Sequence, residues 1–274
     1  MGAGISLCRI DGGRFQRYNI YRNLHIQYLE VRNVQNRFLL HRIGFLLIII
    51  GLAILLGILR YDQTDRFREA SAPGQNAHTL VIDAGHGGDD GGAVAADGTQ
   101  EAELNLQISK RLQLLSALSG VTTVMTRDSA EVRYPDTAKT IASRKVADQK
   151  QRVSLIRSIP NAVLISVHQN QFPTAQPHGA QVLYAATEGS RLLGEQIQQA
   201  LVTTLDPENR RLADLISDEI YLTAQIACPA VLIECGFISN PAECQRLQTQ
   251  EYQIKLAMTI LSSYLQYEQN GSLI

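Results

Sequence analysis

Short, mostly apolar stretches recur along the second part of the chain, and they predict buried β-strands. They are TLVIDA (79–84), VTTVMT (121–126), AVLISV (162–167), AQVLYA (180–185) and PAVLIE (229–234). Each has the length of a strand. Strands in which apolar residues do not alternate with polar ones are typical of a parallel sheet that is covered on both faces.

The segments between these stretches have apolar residues three or four positions apart, which is the spacing of an amphipathic helix. Residues 101–118 show it most clearly, and the same spacing predicts helices at about 139–158, at 190–205 and at 250–268. Alternating strands and helices predict an α/β fold. We expect a single domain with a mainly parallel sheet flanked by helices on both faces.

A different pattern precedes this domain. Residues 43–59 are 17 uncharged, mostly apolar residues between Arg42 and Arg60. As a helix they would rise about 26 Å, which predicts an N-terminal transmembrane helix. A buried core helix and a cleaved signal peptide are the alternatives. The first would need a polar face, and the second a short leader and a nearby cleavage site, whereas 42 residues precede this segment.

The charges around the apolar segment predict its orientation. Residues 1–42 contain seven arginines against Asp11 and Glu30. Because positively charged flanks remain inside, we expect residues 1–42 to form a cytoplasmic tail and residues 43–59 a single-pass anchor in the cell membrane. Residues 60–77 are polar and predict a linker, which leaves residues 78–270 as an extracytoplasmic domain.

The net charge and the cysteine spacing bear on which partners and sites the chain could have. The 274 residues carry a formal net charge of −1, which gives no electrostatic reason to expect binding to nucleic acid. The four cysteines, at positions 8, 228, 235 and 244, form no C-x-x-C pair. Neither a thiolate zinc site nor a redox motif is therefore predicted.

Candidate chemistry gathers at the carboxyl ends of the predicted strands, where ligands bind in open α/β sheets. His86 follows the first strand, His168 the third and Glu234 the fifth. Glu101 begins the first helix, after the glycine-rich loop on the same edge. Two imidazoles and two carboxylates should therefore meet at one rim of the sheet.

The glycine-rich loop VIDAGHGGDDGGA (81–93) could hold either a phosphate or a cation. A phosphate loop presents backbone N–H groups without adjacent carboxylates, whereas Asp89 and Asp90 follow the glycines here. Two imidazoles with one carboxylate form the His₂Glu ligand set of catalytic zinc sites, which leaves one position open. The alternative is that both histidines are ordinary polar groups at strand ends.

Several segments, in this order, resemble the zinc-dependent N-acetylmuramoyl-L-alanine amidases, a family that cuts bacterial peptidoglycan. They are DAGHGGDDGGA (83–93), GTQEAELNL (98–106), TRD (126–128), RVSLIRSIPNAVLISVHQN (152–170), GAQVLY (179–184) and PAVLIECGFISNPAE (229–243). The resemblance extends from about Leu80 to Tyr267, and it is greatest to the spore-cortex, germination-specific branch.

The resemblance assigns roles to the rim residues. It implies that His86, Glu101 and His168 bind one zinc ion and that Glu234 is the catalytic carboxylate. Glu103 cannot share the ligand role with Glu101, because residues two apart on a helix point about 200° away from each other.

The same resemblance implies hydrolysis of the amide between N-acetylmuramic acid and L-alanine in peptidoglycan, in the maturation of spore cortex to muramic lactam, with a membrane-associated protein as partner. Asn170, Arg152 and Arg127 are candidate substrate contacts. Two other functions remain as alternatives, a zinc peptidase acting within the stem peptides and a non-catalytic wall-binding module.

Overall fold

The computed structural model describes residues 78–271, which contain six strands and six helices. The strands are β1 (Thr79–Ala84), β2 (Thr123–Met125), β3 (Ala162–Asn170), β4 (Gln181–Tyr184), β5 (Asp214–Leu215) and β6 (Ala230–Phe237). The helices are α1 (Glu101–Leu118), α2 (Ile141–Arg157), α3 (Ser190–Leu205), α4 (Tyr221–Ala224), α5 (Pro241–Leu247) and α6 (Gln250–Gly271). The predicted tail, membrane segment and linker lie outside the described residues.

All the strands belong to one sheet with the order β2-β1-β3-β6-β4-β5. Strands β2, β1, β3 and β6 are parallel, which confirms the predicted mainly parallel sheet. Strand β4 runs antiparallel to β6, and β5 is parallel to β4. The reversal follows from residues 171–180, which connect β3 to β4 without a helix, because a parallel crossover needs a dozen or more residues.

Two apolar cores lie on opposite faces of the sheet, which confirms helices on both faces. Leu80 and Ile82 of β1 pack in a core with residues of α1, α3 and α6. Val81, between them, packs instead with residues of α2 and α4. Because successive side chains on a strand point to opposite faces, a strand between two cores must be apolar throughout.

The central strands are longer than their apolar stretches predict. Strand β3 extends through His168 to Asn170, and β6 extends through Glu234 to Phe237. The ends of these two strands pair with each other, through His168 with Glu234 and Asn170 with Phe237, and this pairing extends both strands. His168 and Glu234 are register partners across these two strands. The two residues therefore lie inside the sheet edge, side by side, rather than in the loops beyond it.

Three short elements were missed by the periodicity, namely β5, α4 and α5. Helix α5 carries a local signal, because Asn240 caps its first N–H groups and Pro241 occupies its first turn. Between residues 78 and 271, no helix is both long enough and apolar enough to cross a bilayer.

Candidate metal centre

His86 lies in the loop after β1 and has an unusual backbone conformation. Its φ of 60° is left-handed, which costs a non-glycine residue about 1–3 kcal/mol. Arg152 of α2 holds this conformation by donating from Nη2 to the His86 carbonyl, at 2.6 Å. The flanking Gly87 and Gly88 also have positive φ. The glycine-rich loop therefore turns sharply enough to direct His86 back over the sheet edge.

The structure brings the three residues implied as metal ligands together. Glu101, in the first turn of α1, lies 3.3 Å from Nε2 of His86 through Oε2 and 3.0 Å from Nδ1 of His168 through Oε1. One ligand atom from each residue falls within 4.8 Å of the others. In the described part of the chain this is the only such group of histidine, cysteine and acidic residues.

The electrostatics of the cluster favour a cation. Burial alone would raise the pKa of Glu101, but hydrogen bonds and charge from His168 and His86 hold it far below its usual range. Burial likewise opposes the charged form of His86, yet Glu101 and Asp90 outweigh it and raise its pKa to about 8. The carboxylates thus stabilise positive charge at this position, whether a proton or a metal ion supplies it.

The donor set fits zinc in particular. Two imidazole nitrogens and a carboxylate are the ligands of catalytic zinc sites with an open fourth position. Calcium would require six or more oxygen ligands, and the described residues bring one carboxylate, Glu101, into this group.

Glu234 stands beside the cluster and has an unusual environment. Its Oε2 atom is buried and has no hydrogen-bond partner among the described residues. Burial raises the pKa of Glu234 to about 7, the negative charge of Glu101 adds to the rise, and His168 and His86 partly offset it. A carboxyl group in this state can accept and release a proton near neutral pH.

Two glycines of the loop give the ligands the space they need. A Cβ at Gly85 would lie 2.3 Å from the His168 ring, and a Cβ at Gly92 would lie 2.6 Å from Oε2 of Glu101. A larger residue at either position would displace one of the candidate ligands. The glycines therefore let the loop backbone lie close to the His168 and Glu101 side chains, and they also allow the chain to turn.

Asp90 and Lys145 extend the cluster outward, and neither was predicted as a site residue. Asp90 accepts from Nδ1 of His86 at 2.9 Å through Oδ2, while its Oδ1 lies 2.8 Å from the Lys145 ammonium. This contact keeps a proton on Nδ1 and leaves Nε2 facing Glu101. The spacing of Asp90 four residues after a candidate ligand was a signal in the sequence, but Lys145 had none.

Arg152 was predicted as a candidate substrate contact, but its side chain makes hydrogen bonds within the protein. It is buried and donates to the carboxylates of Asp83 and Asp148 and to the carbonyls of Ala84 and His86. These contacts use all five guanidinium N–H groups, so none is left for a substrate carboxylate. Its position explains the conformation of the loop rather than the recognition of a ligand.

Arg127 and Asn170 are the other two candidate substrate contacts. Arg127 is also buried and donates to four backbone carbonyls, those of Ala84, Gly85, Ala102 and Ser129. Asn170 is half-buried two residues beyond His168, past a bulge in the β3–β6 pairing, and its carbonyl accepts from the N–H of Ile238.

A cavity of about 250 Å³ opens over the cluster. Its lining includes Lys145 and Gln149 of α2, together with Ile220, Leu222 and Glu234. The cavity is therefore lined by both polar and apolar side chains, as small-molecule sites usually are.

Comparisons with known proteins agree with this geometry. A sequence model described as N-acetylmuramoyl-L-alanine amidase matches residues 80–264. The germination-specific N-acetylmuramoyl-L-alanine amidase of Bacillus subtilis (strain 168) is 31% identical over 229 residues, which cover 82% of this chain and 95% of that protein.

Solved structures show the same fold. The CwlD amidase from Clostridioides difficile, solved in complex with the GerS lipoprotein, matches with a TM-score of 0.67 and 35% identity, over 69% of this chain and 98% of that one. An N-acetylmuramoyl-L-alanine amidase from Clostridium difficile 630 matches with a TM-score of 0.60 and 30% identity, over 70% of this chain and 97% of that one.

Proposed function

The chain belongs to the N-acetylmuramoyl-L-alanine amidase family, and on that premise we propose that it hydrolyses the amide between N-acetylmuramic acid and L-alanine in peptidoglycan, with zinc bound by His86, Glu101 and His168. The observation that supports the proposal is the convergence of these three side chains beside a carboxyl oxygen of Glu234 that has no hydrogen-bond partner among the described residues.

A bound zinc ion supplies Lewis acidity, which lowers the pKa of water and polarises a carbonyl. The protein provides the rest of the chemistry. His86 and His168 would each offer an imidazole nitrogen to the ion and Glu101 a negative charge, a ligand set that leaves one position for water or substrate. Asp90 and Arg152 hold His86 in its strained conformation, so the ligand set is formed before substrate arrives.

Glu234 carries the proton. It takes one from the attacking water as the new C–O bond forms, and it returns that proton to the amide nitrogen as the C–N bond breaks. The products are the lactyl carboxylate and a free L-alanine amine. A positioned acid–base group of this kind is worth about 10² to 10⁴ in rate. No covalent intermediate is required, which agrees with the buried Ser166 being hydrogen-bonded to Asp83.

The relatives support a role in spore cortex. One is named as germination-specific, and the CwlD structure contains a lipoprotein. We propose that this chain acts in cortex maturation, where its product is later converted to muramic lactam, and that a membrane-associated protein is its partner. The apolar residues 43–59 and the arginines before them support a membrane anchor with residues 78–270 as the extracytoplasmic catalytic domain.

The test is digestion of purified cortex peptidoglycan by the full-length chain, followed by analysis of the new termini. We expect new N-terminal alanine and muramic acid with a free carboxyl group, and loss of activity on zinc removal and in His86→Ala. His178→Ala is the matched control, because His178 is exposed and pairs with Asp206 outside the cluster. New termini inside the stem peptide would make the protein a peptidase, and an absence of digestion together with zinc binding would favour a wall-binding module.

A further inference from the structure

Glu101 is held from behind by two buried amide side chains that the catalytic scheme does not use. Asn105, one turn further along α1, donates from Nδ2 to Oε1 of Glu101 at 3.2 Å and to the Gly85 carbonyl at 3.1 Å. Gln169 of β3 donates from Nε2 to Oδ1 of Asn105 at 3.1 Å. Asn105 is fully buried and Gln169 nearly so, which shields these contacts from water.

The direction of these hydrogen bonds is fixed by the groups at their ends. A carboxylate and a backbone carbonyl can only accept, so Asn105 must turn its NH₂ group toward Glu101 and Gly85. Its oxygen then faces Gln169, which has an NH₂ group to offer. Gln169 is therefore the residue that completes the hydrogen bonding of Asn105 in the orientation Glu101 needs.

The backbone of the same residue reinforces this arrangement. The N–H of Gln169 donates to Oε1 of Glu101 at 3.1 Å, and the N–H of Ala93 donates to Oε2 at 2.9 Å. Both carboxylate oxygens thus have a donor from the protein, and the plane of the carboxylate is set. A carboxylate ligand with a fixed plane binds a metal ion without first losing side-chain freedom.

We propose that Gln169 is a positioning residue for the metal ligand Glu101 and acts through Asn105. The inference rests on the proposed metal site. A side chain without a donor at position 169 leaves the Asn105 oxygen unpaired in a buried place, and Asn105 then loses its fixed orientation. Groups that hold a metal ligand in this way are worth about ten- to a hundredfold in metal affinity.

The test measures zinc affinity of the full-length chain by chelator competition, without any peptidoglycan. Gln169→Met keeps the volume of the side chain but removes its donor, and we expect it to raise the zinc Kd about tenfold. Asn105→Ala should raise the Kd by as much or more. In the double variant, Gln169→Met should add nothing to Asn105→Ala, because it acts through Asn105.

Gln198→Met is the matched control. Gln198 is also buried, but it bonds the backbone of Ala180 and Val182 and none of the groups around Glu101. We expect it to lower the urea midpoint of the zinc-free protein while leaving the zinc Kd unchanged. Cobalt(II) in place of zinc gives a second readout, because its visible spectrum reports ligand geometry and should shift in Gln169→Met but not in Gln198→Met.

Each result separates this inference from the proposed function. If the wild-type chain binds zinc and His86→Ala does not, the metal site stands. An unchanged zinc Kd and cobalt spectrum in Gln169→Met, or effects that add fully in the double variant, would then overturn the positioning role alone. Failure of the wild-type chain to bind zinc would overturn both.

Discussion

At the scale of single residues, the absence of a side chain at Gly85 leaves the space that the His168 ring occupies. Gly85→Ala would place a Cβ 2.3 Å from the His168 ring, and the imidazole would have to leave its position. We expect this variant to stay folded, to lose zinc binding by at least tenfold and to lose amidase activity with it. Circular dichroism tests whether the variant is folded, and chelator competition measures its zinc binding.

Gly91→Ala is the control for that prediction. Its Cβ would first meet the end of the Gln100 side chain, at 3.1 Å, and that side chain is exposed and can move. Zinc binding should be close to that of the wild type. Equal losses in both variants would mean that the loop tolerates no methyl group anywhere, and the specific role of Gly85 would be wrong.

A second prediction at this scale concerns Asp90 and its effect on zinc affinity. Asp90→Asn keeps the shape of the side chain but removes the charge that binds the Nδ1 proton of His86 and the Lys145 ammonium. We expect zinc affinity to fall about tenfold, since removing the support of a metal-ligating histidine costs ten- to a hundredfold. Lys145→Met should have a smaller effect, because it touches the metal ligand only through Asp90. A larger effect for Lys145→Met would reverse this order and show that Lys145 acts directly.

The sequence placed the candidate ligands near one another but did not predict the groups that hold them, and the reason is physical. Parallel strands end at one edge, so His86 and His168 could be placed near each other from the order of elements alone. The contacts of Asn105 and Gln169 depend on which way side chains turn inside a closed core. No periodicity carries that information, and it becomes visible only when the structure gives distances.

At the scale of elements, α2 is tied to β1 through Arg152. This buried guanidinium pairs with Asp83 at 2.7 Å and also donates to the carbonyls of Ala84, the last residue of β1, and of His86. Arg152→Met would leave Asp83 as a buried charge without its partner. We expect the free energy of unfolding in urea to fall by about 3–5 kcal/mol, as for other broken buried pairs.

Arg191→Ala is the control for this prediction. Arg191 pairs with Glu195 on the exposed face of α3, and such surface pairs contribute little to stability because solvent screens them. The double variant Asp83→Asn with Arg152→Met should recover part of the loss, because it removes the stranded charge. A loss in Arg152→Met no greater than in Arg191→Ala would show that α2 is not anchored this way.

Elements were predictable where a long stretch repeats one pattern. Helices α1 and α3 have the predicted bounds of 101–118 and 190–205, because each has several turns of regular apolar spacing. The short β5 and α4 have too few residues to show a period. The reversal of β4 could have been foreseen from the short, helix-free connection that precedes it.

At the scale of the whole molecule, stability should depend on acid through Asp83. Burial alone would raise the pKa of Asp83, but Arg152 and the hydroxyls of Ser166 and Thr126 lower it to about 2. The stability from this group is complete above the unfolded pKa of about 4 and is lost as the pH falls through about 2. The shift corresponds to about 2 kcal/mol.

Unfolding in urea between pH 5 and pH 2 measures this dependence. Because many carboxylates titrate in that range, the comparison is between the wild type and Asp83→Asn. We expect the gap in stability between them to narrow by about 2 kcal/mol as the pH falls. A gap that stays constant with pH would show that Asp83 has the same pKa in the folded and unfolded chains.

The order in which the site residues occur along the chain has a consequence for its synthesis. The three proposed ligands all precede β4, whereas Glu234 follows it on β6, the neighbour of β3. A ribosome therefore completes the three proposed zinc ligands before it adds Glu234, the proposed proton carrier. A polypeptide that stops before residue 234 would contain all three proposed ligands and still lack the proposed proton carrier, together with the strand that pairs with β3.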